Sequence, residues 1–345
     1  MKFSSSGFQF HSEKSDSKIK THSESSSEMT TMKLIIDVDT GVDDAHALMM
    51  ALAHPNAQVL AITCVNGNTT LDNVCTNTIK LLQVCGRNDV PVYRGAESSL
   101  LGTQCLSTYH GQGGLGDVLL QADDWSEYLK KQHAVHALIE LVNKYPGEIT
   151  LVTLAPLTNI ALALKLDPQF GKKLKQVVMM GGNIHGVGNI TVSGEFNFFV
   201  DPEAAFVVLN EIGSLIKLVS WETCNENITD WAWADQWMNT NTDVGRFNKA
   251  ISTKGFRHLK NINSAGFRSC DSMAMATVLE PTSVRSSERH FCTVELKGDH
   301  TRGQMIVDRH KLIAGGENNE KNVEIVTKID TEIVQKLLTA AVNMK

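Results

Sequence analysis

Four aspartates lie within eight residues: Asp37, Asp39, Asp43 and Asp44, with Thr40-Gly41 between the two pairs. Alternate residues of a strand face the same side, so Asp37 and Asp39 would share a face, and the second pair would begin a helix. Acids at a helix N-terminus could be purely structural. Capping does not explain four carboxylates beside an apolar strand, because close like charges repel unless a cation joins them. This pattern favours a hard divalent ion, Ca²⁺ or Mg²⁺, held by oxygen ligands.

The elements around these aspartates alternate between strand and helix. Apolar runs predict strands at 34–39, 59–65, 149–154, 176–180 and 215–220, with helices at 43–54, 71–84, 157–166 and 202–210. A strand pair at 293–296 and 304–308 and a helix at 331–342 would close the chain. The alternation predicts an α/β fold: a mostly parallel, mixed central sheet flanked by helices, as in Rossmann-like open sheets.

Polar residues follow the predicted strands where each strand ends. Asp39 closes the first strand, Asn66 and Asn68 follow the second, and Leu154 ends the third. In open α/β sheets, ligands bind beyond the carboxyl ends of the strands. We therefore expect these residues to meet in one site.

The segment 37–44 resembles the D-x-D-x-G-x-D-D signature of the nucleoside hydrolase family. Further family motifs follow in order: VNGN at 65–68, LTNIA at 157–161, MGG at 180–182, GEFN at 194–197, VDPEAA at 200–205 and CD at 270–271. The resemblance extends from about residue 33 to the C-terminus. It implies the nucleoside hydrolase fold and an N-glycosyl hydrolase that uses Ca²⁺ to hydrolyse ribonucleosides to ribose and a free nucleobase.

The resemblance also implies roles for individual residues. Asp43 matches the general base; Asp39, Asp44, Asp271 and the carbonyl of Leu154 match the calcium ligands; Asn68, Asn189, Glu195 and Asn197 match the groups that hold the ribose hydroxyls; and His110 matches a loop near the base. Asp37 is expected to support the ligands from behind. The chemistry is coherent, because a divalent ion activates water and oxygen acceptors stabilise an oxocarbenium-like transition state.

Cys270 is where the sequence departs from the best-known branch of the family. That branch has a histidine there, which is thought to help protonate the departing base. A thiol donates hydrogen bonds poorly. We predict that Cys270 lines the base pocket without supplying this proton, which leaves His110 as the leading donor and leaves the base preference open.

Other aromatic and histidine residues have two interpretations. Trp231, Trp233 and Trp237 are typical packing residues, with Trp233 and Trp237 on one helical face, although a lid that stacks on the base is an alternative. His46 is expected to pack in the core, and His185 to lie outside the site.

Composition limits the partners and the location. A net charge of −6 without a Lys/Arg stripe argues against nucleic acid, and no apolar run is long enough for a membrane span. Residues 1–31 contain ten serines and predict a disordered tail before a single catalytic domain at 32–345. Seven cysteines without a C-x-x-C pair suggest reduced thiols in the cytoplasm. By resemblance, we expect a homodimer or homotetramer that binds a small ribonucleoside.

Two other classes of protein remain in competition at this point. A haloacid dehalogenase-type phosphatase also begins with a strand and D-x-D and uses Mg²⁺, but it has Gly-Thr where this chain has Thr40-Gly41, and it leaves Asp43 and Asp44 unexplained. A non-catalytic nucleoside-binding relative would not need to keep Asp43. Release of phosphate or of a nucleobase would discriminate among them.

Overall fold

The computed structural model describes residues 31–102, 106–118, 125–313 and 322–344. The tail predicted at 1–31 lies, apart from Thr31, outside the described residues. Thr31–Lys345 forms one compact unit. No helix within the described ranges is both long enough and apolar enough to cross a membrane.

A ten-stranded sheet runs through the described part of the chain. Its strands are β1 (Met32–Val38), β2 (Ala57–Cys64), β3 (Val92–Arg94), β4 (Leu129–Lys130), β5 (Ile149–Thr153), β6 (Gln176–Met180), β7 (Ile216–Val219), β8 (Val284–Val294), β9 (Met305–Asp308) and β10 (Val323–Ile329). The order is β4-β3-β2-β1-β5-β6-β7-β10-β8-β9. Pairing is parallel from β4 to β10 and antiparallel for β10–β8 and β8–β9. The predicted mostly parallel, mixed sheet is confirmed.

Helices cover both faces of this sheet. They are α1 (Val42–Ala53), α2 (Leu71–Val84), α3 (Ala134–Lys144), α4 (Thr158–Leu166), α5 (Phe196–Val200), α6 (Pro202–Glu211), α7 (Trp221–Glu226), α8 (Trp231–Trp237), α9 (Asp243–Asn261), α10 (Cys270–Leu279) and α11 (Thr331–Val342). In β1, Leu34 and Ile36 belong to one apolar core and Ile35 to the other. Successive residues of a strand face opposite sides, so a continuous apolar run suits a strand buried on both faces.

The strand order reverses direction at β1. From β1 the chain proceeds outward through β2, β3 and β4, and it then returns to β5 on the other side of β1 before continuing to β6 and β7. Connections on either side of such a switch point diverge, which leaves a crevice at the carboxyl ends of the two strands. The fold thus places the residues after β1 and β5 at the edge of one crevice.

The sequence-based prediction omitted the short strands β3 and β4 and was incomplete for the C-terminal strands. The strand predicted at 293–296 overlaps only the last two residues of a longer strand, β8, which pairs with β9 from Phe291 to Val294. Residues 285–289 of β8 are exposed and polar, so they carry no apolar periodicity, yet they pair with β10. Strand β10 was not predicted, and it joins β8 to the parallel part of the sheet.

Candidate active site

A cavity of about 200 Å³ opens at the carboxyl ends of the central strands. Nine of the eleven site residues that the sequence suggested line it: Asp43, Asn68, His110, Leu154, Asn189, Glu195, Asn197, Cys270 and Asp271. The other two, Asp39 and Asp44, are fully buried. Segments far apart in the sequence therefore meet at the switch point of the sheet.

Two helix N-termini bring the carboxylates together. Helix α1 carries Asp43 and Asp44 in its first turn, and α10 carries Asp271 in its first turn. One carboxylate oxygen from each lies within 4.8 Å of the others. Burial, followed by the charge of Asp43, raises the pKa of Asp44 to about 8. Burial and the charges of Asp43 and Asp44 also hold the pKa of Asp271 well above its ordinary value. A bound cation would favour the ionised forms of all three.

Asp39 supplies an independent sign that the cluster suits a cation. Its Oδ2 accepts a hydrogen bond of 2.7 Å from the backbone N–H of Asn68, whereas its buried Oδ1 has no hydrogen-bond partner among the described residues. A buried acceptor left without a partner is costly. The donor set of carboxylate and carbonyl oxygens, without cysteine or histidine, fits a hard divalent ion. The acidic cluster could therefore bind a metal ion.

Asp37 lies behind this cluster and does not line the cavity. Its Oδ1 accepts hydrogen bonds from Thr63 Oγ1 at 2.5 Å and from Asn159 Nδ2 at 2.9 Å. Burial raises its pKa to about 7, and the two hydrogen bonds oppose that shift. Asp37 thus connects β1 to β2 and α4 beneath the site.

His110 contacts Asp43 rather than standing apart from it. The Val42 backbone N–H donates to His110 Nδ1 at 3.3 Å, and His110 Nε2 lies 3.3 Å from Asp43 Oδ1. Because Nδ1 accepts, the neutral ring carries its hydrogen on Nε2, facing Asp43. Burial lowers the pKa of His110, although the charge of Asp43 opposes this shift. A Cβ on Gly41 would come within 3.0 Å of the imidazole, so glycine permits this approach.

Buried amides and a glutamate form one wall of the cavity. Glu195 caps α5 and accepts hydrogen bonds from the N–H groups of Gly182 and Phe198 at 2.8 and 3.2 Å. Burial raises the pKa of Glu195 to about 7. Asn197 Nδ2 donates to the carbonyl of Leu154 at 3.0 Å. This wall offers fixed polar groups at the strand ends.

The side chains of Asn189 and Asn68 are also held in place. Asn189 Oδ1 accepts a hydrogen bond of 2.8 Å from the backbone N–H of Phe196. Asn68 Nδ2 donates to Asp44 Oδ2 at 3.3 Å, which links the amide wall to the acidic cluster. The geometry therefore brings all four residues expected near the ribose to the same cavity.

Cys270 occupies a nearly closed position in the cavity wall, with 7% of its surface exposed. A hydrogen bond with the Cys224 thiol and burial raise the pKa of Cys270 well above its usual range. The first of these causes is a second thiol, Cys224, to which no sequence motif points.

Sequence reasoning missed Trp221 and Arg268, which also line the cavity. Trp221 begins α7 directly after β7, so the rule that ligands bind at strand ends could have identified it. Arg268 carries no such signal beyond its place two residues before Cys270.

The three tryptophans of α8 do not line this cavity. Trp231, Trp233 and Trp237 donate their indole N–H groups to Ser264, Thr339 and Leu338 respectively. Trp233 and Trp237 stack at 5.6 Å, which confirms that they share a helical face. Packing is therefore their role in this structure, and the alternative of a base-stacking lid is not supported.

The two histidines also lie where the sequence suggested. His46 is 1% exposed and contacts the Ser269 and Ser252 hydroxyls, as expected for a packed histidine, although its ring borders the cavity. His185 is exposed and does not line the cavity.

An open α/β sheet with a cation-compatible acidic cluster and an amide-lined cavity at its switch point fits a metal-dependent hydrolase. The chain belongs to the inosine-uridine preferring nucleoside hydrolase family, whose model matches residues 34–336. It is accordingly an N-glycosyl hydrolase of ribonucleosides, as the sequence predicted. The family assignment excludes the phosphatase.

Relatives and solved structures agree with this assignment. The chain is 34% identical over 278 residues to an inosine-uridine preferring nucleoside hydrolase of Leishmania major, covering 80% of this chain and 87% of the relative. It is 36% identical over 256 residues to uridine nucleosidase 1 of Arabidopsis thaliana, covering 72% and 74%. An inosine-guanosine nucleoside hydrolase structure is similar with a TM-score of 0.84 at 30% identity, covering 92% of this chain and 100% of that one.

Proposed function

We propose that this chain hydrolyses the N-glycosidic bond of ribonucleosides with Ca²⁺ as its metal ion. The observation that carries the proposal is the meeting of α1 and α10, which places oxygens of Asp43, Asp44 and Asp271 within 4.8 Å of one another. Asp39, Asp44, Asp271 and the carbonyl of Leu154 would hold the ion. When bound, it would lower the pKa of a water molecule and bind vicinal hydroxyls of the substrate.

Asp43 would accept the proton of the attacking water. Its side chain is 22% exposed and faces the cavity, whereas Asp39 and Asp44 are sealed beneath it. His110 would hold Asp43 in place through its Nε2–H, at 3.3 Å. This contact supports a positioning role for His110, in place of the leaving-group donor that the sequence suggested.

Asn68, Asn189, Glu195 and Asn197 would bind the ribose hydroxyls. Charge builds on the sugar as the bond to the base breaks, and fixed oxygen acceptors stabilise that charge without reorganising. A 2′-deoxyribose would leave buried polar groups without a partner, so these groups would select ribose. The hydrogen bonds that hold Glu195 and Asn197 support this assignment.

We propose that Cys270 has mainly a packing role in the wall of the base pocket. The Cys224 thiol and burial hold the pKa of the Cys270 thiol well above its usual range, and the side chain is nearly closed off from solvent. A neutral thiol in that setting would line the base pocket and would not protonate the departing base.

Base release from a nucleoside panel tests the function. Ribonucleosides should release free base, and matched 2′-deoxyribonucleosides should react much more slowly. Protein purified without chelator should contain about one calcium per chain. Absence of base release from every nucleoside, with the metal present, would overturn the proposal.

We further propose a homodimer or homotetramer in the cytoplasm. The family resemblance supports the assembly, and six free cysteines among the described residues suit a reducing compartment. Light scattering on the purified protein would measure the mass of the assembly, and a monomer would contradict it.

A further inference from the structure

His46 lies on α1, two residues after Asp44, and its buried ring contacts two other helices. Its Nδ1 lies 3.1 Å from the hydroxyl of Ser269, the N-cap residue of α10, and its Nε2 lies 2.9 Å from the hydroxyl of Ser252 on α9. A neutral imidazole has one donor and one acceptor nitrogen, and a hydroxyl can play either part, so either tautomer satisfies both contacts. One side chain thus joins α1 to α9 and α10.

Aromatic neighbours fix the plane of this ring. The centre of the Trp237 ring lies 5.0 Å from that of His46 at an interplanar angle of 74°, and Phe267 lies at 6.1 Å and 66°. Both contacts are edge-to-face, an arrangement that packed rings favour. The Trp237 indole is itself held, because its N–H donates to the carbonyl of Leu338 at 3.1 Å. The imidazole is therefore unable to turn away from its two serines without disturbing this packing.

The hydroxyl of Ser269 has an unusual use for an N-cap serine. Such a hydroxyl ordinarily accepts a hydrogen bond from a backbone N–H in the first turn of its own helix. Among the described residues Ser269 receives no bond of this kind, and its hydroxyl instead contacts His46 and, at 2.7 Å, the hydroxyl of Ser272. At the start of α7, by contrast, Ser220 accepts from the N–H of Thr223. The Ser269 hydroxyl therefore serves to attach α10 to α1.

The acids on these two helices are held in different ways. Asp44 accepts hydrogen bonds from the backbone N–H groups of Gly41 and Asp39 at 2.8 and 3.3 Å. In the described part of the chain, the carboxylate of Asp271 accepts no such bond. The place of Asp271 therefore depends on where α10 begins.

We infer that His46 is a positioning residue for the metal ion, because it ties the start of α10 to α1 and so sets the place of Asp271 opposite Asp44. The tie joins the residue two positions after Asp44 to Ser269, two positions before Asp271. The inference rests on the proposed function, in which the acidic cluster binds Ca²⁺. Removing a group that orients a metal ligand typically weakens metal binding by about 10- to 100-fold.

The test uses the two nitrogens of the ring separately. In His46→Asn the amide is attached at Cγ, as Nδ1 is, so this variant can keep the contact with Ser269. In His46→Gln the amide reaches toward the position of Nε2, so this variant can keep only the contact with Ser252. Calorimetric titration of the metal-free protein measures the Kd of Ca²⁺. His46→Gln should bind Ca²⁺ about 10- to 100-fold more weakly than wild type, and His46→Asn should stay close to wild type.

Two serine variants form a matched pair for the same measurement. Ser269→Ala removes the tie and should weaken Ca²⁺ binding as His46→Gln does, whereas Ser252→Ala removes the other contact and should leave the Kd of Ca²⁺ close to that of wild type. The melting temperatures should follow a different order. Asparagine leaves a larger void than glutamine, so His46→Asn should melt at a lower temperature than His46→Gln although it binds the ion more tightly. A purely structural role for His46 would not separate the two properties.

Excess Ca²⁺ should restore most of the turnover of His46→Gln, because the defect lies in holding the ion. The substrate p-nitrophenyl riboside suits this measurement, since nitrophenolate departs without a proton from the enzyme. An unaltered Kd of Ca²⁺ in His46→Gln and Ser269→Ala would overturn the inference and leave the proposed function intact. Equal weakening in all four variants would also overturn it, by showing that general loosening of the core is the cause.

If His46→Gln does not fold, the two serine variants decide. A wild type that binds no Ca²⁺ would overturn the proposed metal, and the inference with it.

Discussion

The two ends of the cavity are built in different ways. One end, which we call the metal end, carries the acidic cluster of Asp39, Asp43, Asp44 and Asp271. It consists of strand ends and helix N-termini, with Asp39 and Asp44 completely buried beneath the sheet edge. The base end consists of Tyr109, Trp221 and Arg268, which come from three separate segments and are more exposed. Burial on the central strands holds the first set rigidly, since moving it would disturb the core. The second set can vary while the sheet stays the same, so the chemistry and the choice of base are structurally separate.

Removing the metal should have the largest effect, because it disables the end of the cavity that every substrate needs. We expect a strong chelator to abolish hydrolysis of all nucleosides and of p-nitrophenyl riboside alike, and added Ca²⁺ to restore it. The melting temperature should also fall, since an ion that binds only the folded state stabilises it. Full activity after verified removal of the metal would contradict the assignment of a metal site to this end of the cavity.

Asp43→Asn should have the next largest effect. The variant should keep the fold and the metal but lose about 10²–10⁴-fold in kcat, since the amide cannot accept the proton of water. Metal analysis and kcat on one nucleoside would measure both properties. The matched variant Asp72→Asn changes an exposed acid in the first turn of α2 and should leave kcat unaltered. Unchanged turnover in Asp43→Asn would contradict the assignment of the general base to Asp43.

His110→Ala should show whether His110 positions Asp43 or donates a proton to the departing base. If it positions Asp43, the loss should be about 10- to 100-fold on inosine and on p-nitrophenyl riboside equally. A steady-state comparison of the two substrates measures this. A loss confined to natural nucleosides would instead make His110 the donor to the departing base, which is the role that the sequence suggested.

Cys270→Ala should have the smallest effect. The Cys224 thiol and burial raise the pKa of Cys270, and a neutral thiol donates hydrogen bonds poorly. We therefore expect kcat/KM for inosine to change only severalfold, with the ratio to p-nitrophenyl riboside nearly constant. Cys292→Ala, at a buried thiol outside the cavity, controls for the loss of packing. Abolished cleavage of inosine with p-nitrophenyl riboside spared would show that the thiol is the acid after all.

The sequence predicted the metal end far better than the base end. Asp39, Asp43 and Asp44 lie in one short motif between a strand and a helix whose apolar patterns are clear, so local signals locate them. Arg268 and Cys224 have no local motif. Their relevance depends on which distant segments the folded chain brings together. A single sequence, considered on its own, does not reveal those long-range contacts.

The same distinction applies to the fold. Strands β1, β2, β5 and β6 are continuous apolar runs, because both of their faces are covered, and they were predicted within a few residues. Strand β8 lies near the end of the sheet, where half of its residues face solvent, so its polar sequence hides it. Backbone hydrogen bonds pair β8 with β10. These bonds do not require particular side chains, so the sequence gives little sign of the pairing.

The convergence of α1 and α10 also bears on how the chain is made. During synthesis the N-terminal segments emerge first, so Asp43 and Asp44 leave the ribosome long before residue 271 exists. Until α10 arrives, these carboxylates lack the third acid that completes the cluster, and the apolar face of α1 lacks one of its main packing partners. A truncated chain that ends before α10 is therefore unable to assemble the metal site. Under the proposed function, completion of the chain and binding of the ion would be one late event, and partial products would be inactive.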